Sequence, residues 1–161
     1  MARKKQRKIS KLKSVTKEKS RPVFIPNPSN LTSVQKAGLA YERQTAKYLK
    51  LRYGTKNVLH GSWWAYEDAK GASWCSPDII IDIKGKPLIV VECKLTLTKS
   101  ADSQLKDLYV PVLFHHYQRE VRPVQVAKNF RKKWNGTLIS TWEDLYEIEP
   151  WSYSALIWRK I

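Results

Sequence analysis

Two apolar runs, Asp78–Ile83 and Leu88–Leu97, separated only by Lys84-Gly85-Lys86-Pro87, constrain this chain more than any other feature of its sequence. Runs of this length, rich in Ile, Val and Leu and joined by a Gly- and Pro-containing tetrapeptide, read as two strands and a turn. They are nearly continuous in apolar residues rather than alternating, so both faces of their sheet have to be covered. Helices to cover them are legible. Thr32-Ser33-Val34-Gln35 fits a capping box, which predicts a helix from Thr32 to Tyr53 that stops at Gly54. A second helix is predicted over Ser103–Tyr117, where Leu105, Leu108, Tyr109, Val112 and His116 recur at helical spacing and Pro111 implies a kink or a break. Asn57–His60, Val121–Val126 and Ala155–Arg159 are further strand candidates, and Gly61–Ser76 reads as a long Trp-rich loop. Helix, hairpin, helix, strand makes an α/β domain with a mixed β-sheet flanked by helices, and 161 residues is room for one such domain. No internal repeat is visible.

Charge is the second constraint. Thirty Lys and Arg against 14 Asp and Glu give a formal charge of +16, which favours a polyanionic partner, nucleic acid first and an anionic membrane surface second. Residues 1–21 hold ten of those cations (among them Arg3, Lys4, Lys5, Arg7 and Lys8) against one acid, Glu18, with no aromatic. Such a tail is expected to be disordered alone and to contact phosphates with a salt-sensitive affinity. Residues 22–31, with Pro22, Pro26 and Pro28, read as a stiff linker, which leaves 32–161 as the folded domain. No apolar run approaches the ~20 residues needed to span a bilayer, and no apolar secretion segment opens the chain. Two cysteines, Cys75 and Cys93, are too few for a disulfide scaffold and lack metal-ligand spacing. The expectation is a soluble protein of a reducing, cytoplasmic compartment with no membrane partner.

In so basic a chain, carboxylates inside apolar strands need a reason. Asp78 opens Pro-Asp-Ile-Ile-Ile, and Glu92 sits in Ile-Val-Val-Glu-Cys-Lys-Leu, two residues before Lys94. Strand side chains alternate, so Glu92 and Lys94 share a face that Cys93 does not, and the hairpin brings Asp78 onto the strand beside them. Burying such charges costs several kcal/mol unless they are paired or bind a metal. Two hard oxygen ligands on adjacent strands suit Mg2+, which keeps waters and also takes phosphate oxygens. A lysine beside the metal can orient an attacking water and balance charge developing on phosphorus.

Pro77-Asp78, then thirteen residues, then Glu92-Cys93-Lys94, resembles the PD-(D/E)XK nuclease superfamily, with Glu42 in Lys36-Ala37-Gly38-Leu39-Ala40-Tyr41-Glu42-Arg43 similar to its first-helix Glu. Within that superfamily the helix Gly-x-x-x-Glu-Arg, a Gly-Ser loop, Pro-Asp-Ile and Val-Glu-x-Lys most resemble archaeal-type Holliday junction resolvases, some of them phage-encoded. The resemblance covers residues 34–113. It implies a restriction-endonuclease-like core, with Asp78, Glu92 and the Cys93 carbonyl holding Mg2+, for which Mn2+ could substitute. It implies that Lys94 positions the attacking water and that Glu42 binds the metal or a metal-bound water at the edge of the site. The catalytic-loop serine stays open between Ser62, which follows His60-Gly61, and Ser73, which lies nearer Asp78. Relatives of this kind act as symmetric homodimers on branched double-stranded DNA. They nick strands of like polarity across a four-way junction and leave a 5′ phosphate and a 3′ hydroxyl. In a phage-encoded protein the setting is the host cytoplasm.

Other residues have plainer readings beside functional ones. Trp63, Trp64 and Trp74 either stack on unpaired bases at a branch point, an interaction of roughly 1–3 kcal/mol per base, or are core or dimer interface. Trp134, Trp142, Trp151 and Trp158 are most simply core. Arg43, Lys47, Lys50, Arg52 and Arg131-Lys132-Lys133 are candidate backbone contacts, or a solvated face. His115 and His116 are adjacent on a helix, about 100° apart, and so do not share one metal. His60 reads as a satisfied loop histidine. The rival functions are another duplex endonuclease or exonuclease of the same superfamily, and a non-catalytic basic nucleic-acid-binding protein in which Asp78, Glu92 and Lys94 form a structural network.

Overall fold

The computed structural model describes residues 8–96, 98–129 and 156–159. Within them the two apolar runs pair as expected: β5 (Ile79–Ile81) lies antiparallel to β6 (Leu88–Thr96), with Ile79 opposite Val91 and Ile81 opposite Ile89. β2 (Val58–His60) pairs antiparallel with β5, while β7 (Val121–Asn129) runs parallel to β6 and β8 (Leu156–Arg159) parallel to β7. The result is a mixed five-stranded sheet in the order β2-β5-β6-β7-β8. Alternation sorts the two faces. Ile79, Ile81, Ile89, Val91 and Cys93 pack with Tyr41, Ala46 and Leu49 of α1 (Ser33–Tyr53). Ile80, Leu88 and Val90 point the other way, into Leu105, Leu108, Tyr109, Val112 and Leu113.

The helix ends follow the sequence. The Thr32 hydroxyl accepts from the Gln35 N–H at 3.2 Å, and the Gln35 side chain accepts from the Thr32 N–H at 2.9 Å, closing the capping box. At the other end Gly54 adopts φ +94°, a conformation that L side chains rarely adopt, and its N–H returns to the Lys50 carbonyl. The second helical segment starts earlier than predicted and is not broken at Pro111. It comprises α2 (Lys99–Gln104), one π turn (Leu105–Tyr109) and α3 (Val110–Tyr117). Pro111 lacks the N–H that would bond the carbonyl four residues back. That carbonyl, of Asp107, accepts instead from the Ile9 N–H at 3.3 Å.

Two sequence expectations are corrected. Gly61–Ser76 is not a loop: β3 (Trp63–Asp68) and β4 (Gly71–Cys75) form a hairpin in which Trp64, Tyr66 and Cys75 face the core. The basic tail is not disordered from Lys8 onward. β1 (Ser14–Glu18) pairs antiparallel with β3 from Ser14↔Glu67 to Glu18↔Trp63, completing a second sheet in the order β1-β3-β4. The physical reason is that Ile9, Leu12 and Val15, too few to make a core of their own, complete one that the rest of the chain supplies. Asp68, 1% exposed, fixes the junction by accepting from the Ser10 N–H at 3.0 Å and the Lys70 N–H at 2.9 Å. Among the described residues no helix is long and apolar enough to cross a membrane.

Candidate active site

The five-stranded sheet forks where its acidic residues sit. Pairing between β5 and β6 stops at Ile79↔Val91, whereas β6 continues against β7 as far as Thr96↔Asn129. Carrying the β5–β6 register one step further sets Asp78 opposite Glu92, with both side chains on one face. Past the fork, the Cys93 N–H finds a side chain in place of a strand, and donates to Asp78 Oδ2 at 2.7 Å. A strand residue presents its N–H and C=O to the same side, so the Cys93 carbonyl faces the fork as well. On the far side of Glu92, Lys94 Nζ lies 2.9 Å from Glu92 Oε1. The Glu92 side chain is 4% exposed and that of Lys94 is 35% exposed, so the pair bridges the interior and the surface.

The electrostatics of this cluster are strained. Asp78 is pushed up from 3.8 to about 8, first by burial, then by repulsion from Glu92 and Glu42, against the lowering effect of the Cys93 N–H and Lys94. Burial likewise raises Glu92, although the Lys94 ammonium opposes it. Burial alone would lower Lys94, but Glu92 and Asp78 outweigh it and leave the ammonium raised and charged. Glu92 Oε2 is buried with no hydrogen-bond donor, save a proton shared with Asp78. A buried anionic oxygen without a donor is unfavourable by more than a neutral group would be. A divalent cation at the fork would meet that oxygen and relieve the repulsion together, so the residues fit Mg2+. Among the described residues no three His, Cys, Asp or Glu side chains gather as a metal cage; Mg2+ held by one or two carboxylates, with waters and phosphate oxygens completing its shell, asks for none.

Glu42 reaches the site from α1, one turn before the buried Ala46. Its carboxylate is close enough to raise both Asp78 and Glu92, and Oε1 lies 2.9 Å from His60 Nε2. Ser62 sits beside the fork: the neighbouring Gly61 N–H donates to the Asp78 carbonyl at 3.0 Å, and Ser62 Oγ accepts from the Trp64 indole at 3.0 Å. Ser73 lies instead in β4, opposite Tyr66. The backbone of the Gly61-Ser62 pair is thus bonded to that of Asp78, while Ser73 belongs to the three-stranded sheet.

The DNA-contact candidates divide. Trp64 is fully buried, edge-on to His116 at 4.9 Å, and cannot stack on a base. Trp63 is half-buried under the Arg21 guanidinium, 4.9 Å from its ring centre, and Trp74 meets Phe24 edge-on. Arg43, Lys47 and Lys50 line one cavity beside His60. Lys8 is the first of the described residues, and its carbonyl accepts from Lys70 Nζ at 3.0 Å. Arg3, Lys4, Lys5, Arg7, Arg131, Lys132 and Lys133, with Trp134, Trp142 and Trp151, lie outside the described residues; Trp158 falls in β8.

Sequence reasoning missed the layer behind the carboxylates. Gln125, opposite Glu92 in the parallel register, is 3% exposed, and its amide grips the Thr98 backbone through both Oε1 (3.0 Å) and Nε2 (3.1 Å). Tyr109 takes a hydrogen bond from Gln104 and donates to the Ser76 carbonyl at 3.3 Å, and Ser76 Oγ in turn donates to the Ser62 carbonyl at 2.8 Å. Burial, then the Glu92 and Asp78 charges, raise the Tyr109 hydroxyl, which stays protonated. A glutamine inside the largely apolar run Val121–Val126 is the one readable signal for this layer.

No protein-family model matches this chain, and no curated protein matches it. Among solved structures it is similar to the crystal structure of protein VC1899 from Vibrio cholerae, with a TM-score of 0.39 and 14% identity. The match takes in 72% of this chain and spans 28% of that one.

Proposed function

We propose that this protein is a Mg2+-dependent, structure-selective DNA endonuclease that resolves four-way junctions. The observation that carries the proposal is the fork itself. It sets Asp78 opposite Glu92, leaves Glu92 Oε2 buried with no donor but a proton shared with Asp78, and ties Lys94 to the other Glu92 oxygen at 2.9 Å. A purely structural network would be expected to give its buried oxygens fixed donors rather than one proton shared between two carboxyls. This one leaves room for a positive charge.

Asp78 and Glu92 would hold the metal, with the Cys93 carbonyl on the same side of the strand. When bound, Mg2+ would polarise the scissile phosphate and stabilise charge on the leaving 3′ oxygen. Asp78 is oriented for that role by the Cys93 N–H. Lys94, anchored by Glu92, would orient the attacking water and balance negative charge at phosphorus. Glu42 would sit at the edge of the site, held by His60. Ser62, fixed by Trp64 and Ser76, would mark the wall nearest Asp78. The +16 charge of the chain supplies the long-range attraction to DNA. Two-fold pairing of such chains would match the near two-fold symmetry of a junction and permit paired nicks within one complex.

The test compares substrates. Wild-type protein with Mg2+ should nick a labelled four-way junction at symmetric positions and leave linear duplex and single strand intact. Equal cutting of duplex would keep a nuclease and discard junction selectivity. Binding without any cutting would favour the non-catalytic basic protein.

A further inference from the structure

A cavity of about 340 Å3 opens beside the Glu42–His60 pair. Its wall is made by Arg43, Lys47 and Lys50 of α1, by Thr55 of the 3-10 turn that follows, by His60 of β2, and by the apolar Ala46. Arg43, Lys47 and Lys50 are four and three residues apart, so they stand on one stripe of the helix. Like charges at that spacing repel and destabilise a helix, and no acid lines the cavity to relieve them. The volume is at the lower end of what small-molecule sites occupy, about 300–1,000 Å3, which suits a phosphate with its sugar. One wall residue, His60, is a single hydrogen bond of 2.9 Å from Glu42, which in turn acts on Asp78.

We propose that this cavity receives one internal backbone phosphate of the DNA strand, close to the phosphate that is cut, and so fixes the register of the strand on the enzyme. The description of that strand as one to be cut rests on the endonuclease reading. The presence of a phosphate site does not. Recognition needs only three cations converging on one concave, partly apolar pocket, and it carries no base information. Because the cations serve one phosphate, they act as a unit and not as separate surface contacts.

The test uses full-length protein carrying Asp78→Asn, so that binding is read without cleavage, and measures junction affinity against salt concentration. Each phosphate neutralised contributes a slope of about −0.9 in log K against log salt. Adding Lys47→Gln and Lys50→Gln together should lower the slope by about one and weaken binding about tenfold. A drop of about two would mean two independent surface contacts, and an unchanged slope would mean none; either overturns the proposal. The same drop is expected on strands with and without a 5′ phosphate, and a drop confined to phosphorylated ends would overturn the internal placement. Titration with inorganic phosphate should shift the amide resonances of residues 43–60 in the folded wild type and not in the double variant; no shift in either would also count against it. A drop of about one in a protein that cuts no DNA would keep the cavity and refute the endonuclease. Cutting by wild type, with an unaltered slope in the variant, would do the reverse.

Discussion

Asp78→Asn should stabilise the metal-free protein at alkaline pH while abolishing its response to Mg2+. Asp78 is ordinarily a group of pKa 3.8, and burial with the Glu92 and Glu42 charges takes it to about 8 in the fold. The native state therefore keeps a proton that the unfolded chain gives up. Stability in EDTA is unaffected below about pH 4, falls as pH rises from there towards 8, and levels off above. A tenfold change in proton affinity is about 1.4 kcal/mol, so the ceiling on the loss is roughly 6 kcal/mol. Glu92 shares the same buried space, so the slope belongs to the two carboxyls jointly and the loss seen on one variant is a part of that ceiling. Asparagine keeps an oxygen for the Cys93 N–H and removes the charge. Urea denaturation at pH 5 and pH 9 in EDTA should thus show a falling midpoint for wild type and a much flatter one for the variant. Mg2+ should raise the wild-type midpoint at pH 8 and leave the variant unmoved. Parallel pH dependences, or equal Mg2+ responses, would show that Asp78 neither holds a proton in the fold nor binds the metal.

Further predictions follow from particular contacts. Lys94→Ala should leave junction binding intact and cut cleavage roughly a thousandfold, measured by single-turnover assays. Glu42→Gln keeps a partner for His60 but removes a charge, so cleavage should fall while affinity in EDTA is unchanged or tighter. Trp64→Ala should lower stability by about 3–5 kcal/mol through loss of a fully buried ring, seen in denaturation. Deleting residues 1–20 removes β1 together with Ile9, Leu12 and Val15 and should lower the Tm of the domain, and deleting residues 1–7, with Arg3, Lys4, Lys5 and Arg7, should flatten the salt dependence of binding.

The apolar strands and the Asp78, Glu92 and Lys94 cluster are legible because each signal is local: a Gly turn, an unbroken apolar run, a charge where none belongs. The capping box at Thr32 and Gln35 was legible for the same reason. Two of the other features, the N-terminal strand and the unbroken helix at Pro111, depend on contacts distant in sequence. Ser14–Glu18 looks like a charged tail because its apolar residues are sparse, and it becomes a strand only through the β3 edge it meets. Gly61–Ser76 reads as a Trp-rich loop, although Trp64, Tyr66 and Asp68 alternate with outward residues as a strand should. Pro111 is a helix breaker by its own chemistry, and what accommodates it is a π turn and an N–H from Ile9, about a hundred residues earlier. The Gln125, Tyr109 and Ser76 layer has no sequence signature beyond polarity in an apolar setting.

The central claim is that Asp78, Glu92 and Lys94 form a metal-dependent phosphodiesterase. Its most direct test is nicking of one end-labelled four-way junction by wild type and Asp78→Asn side by side, each with Mg2+ and with EDTA. Symmetric nicks should appear only in the wild-type Mg2+ lane. Nicking that persists in EDTA or in Asp78→Asn would contradict it, as would an uncut junction that wild type plainly binds.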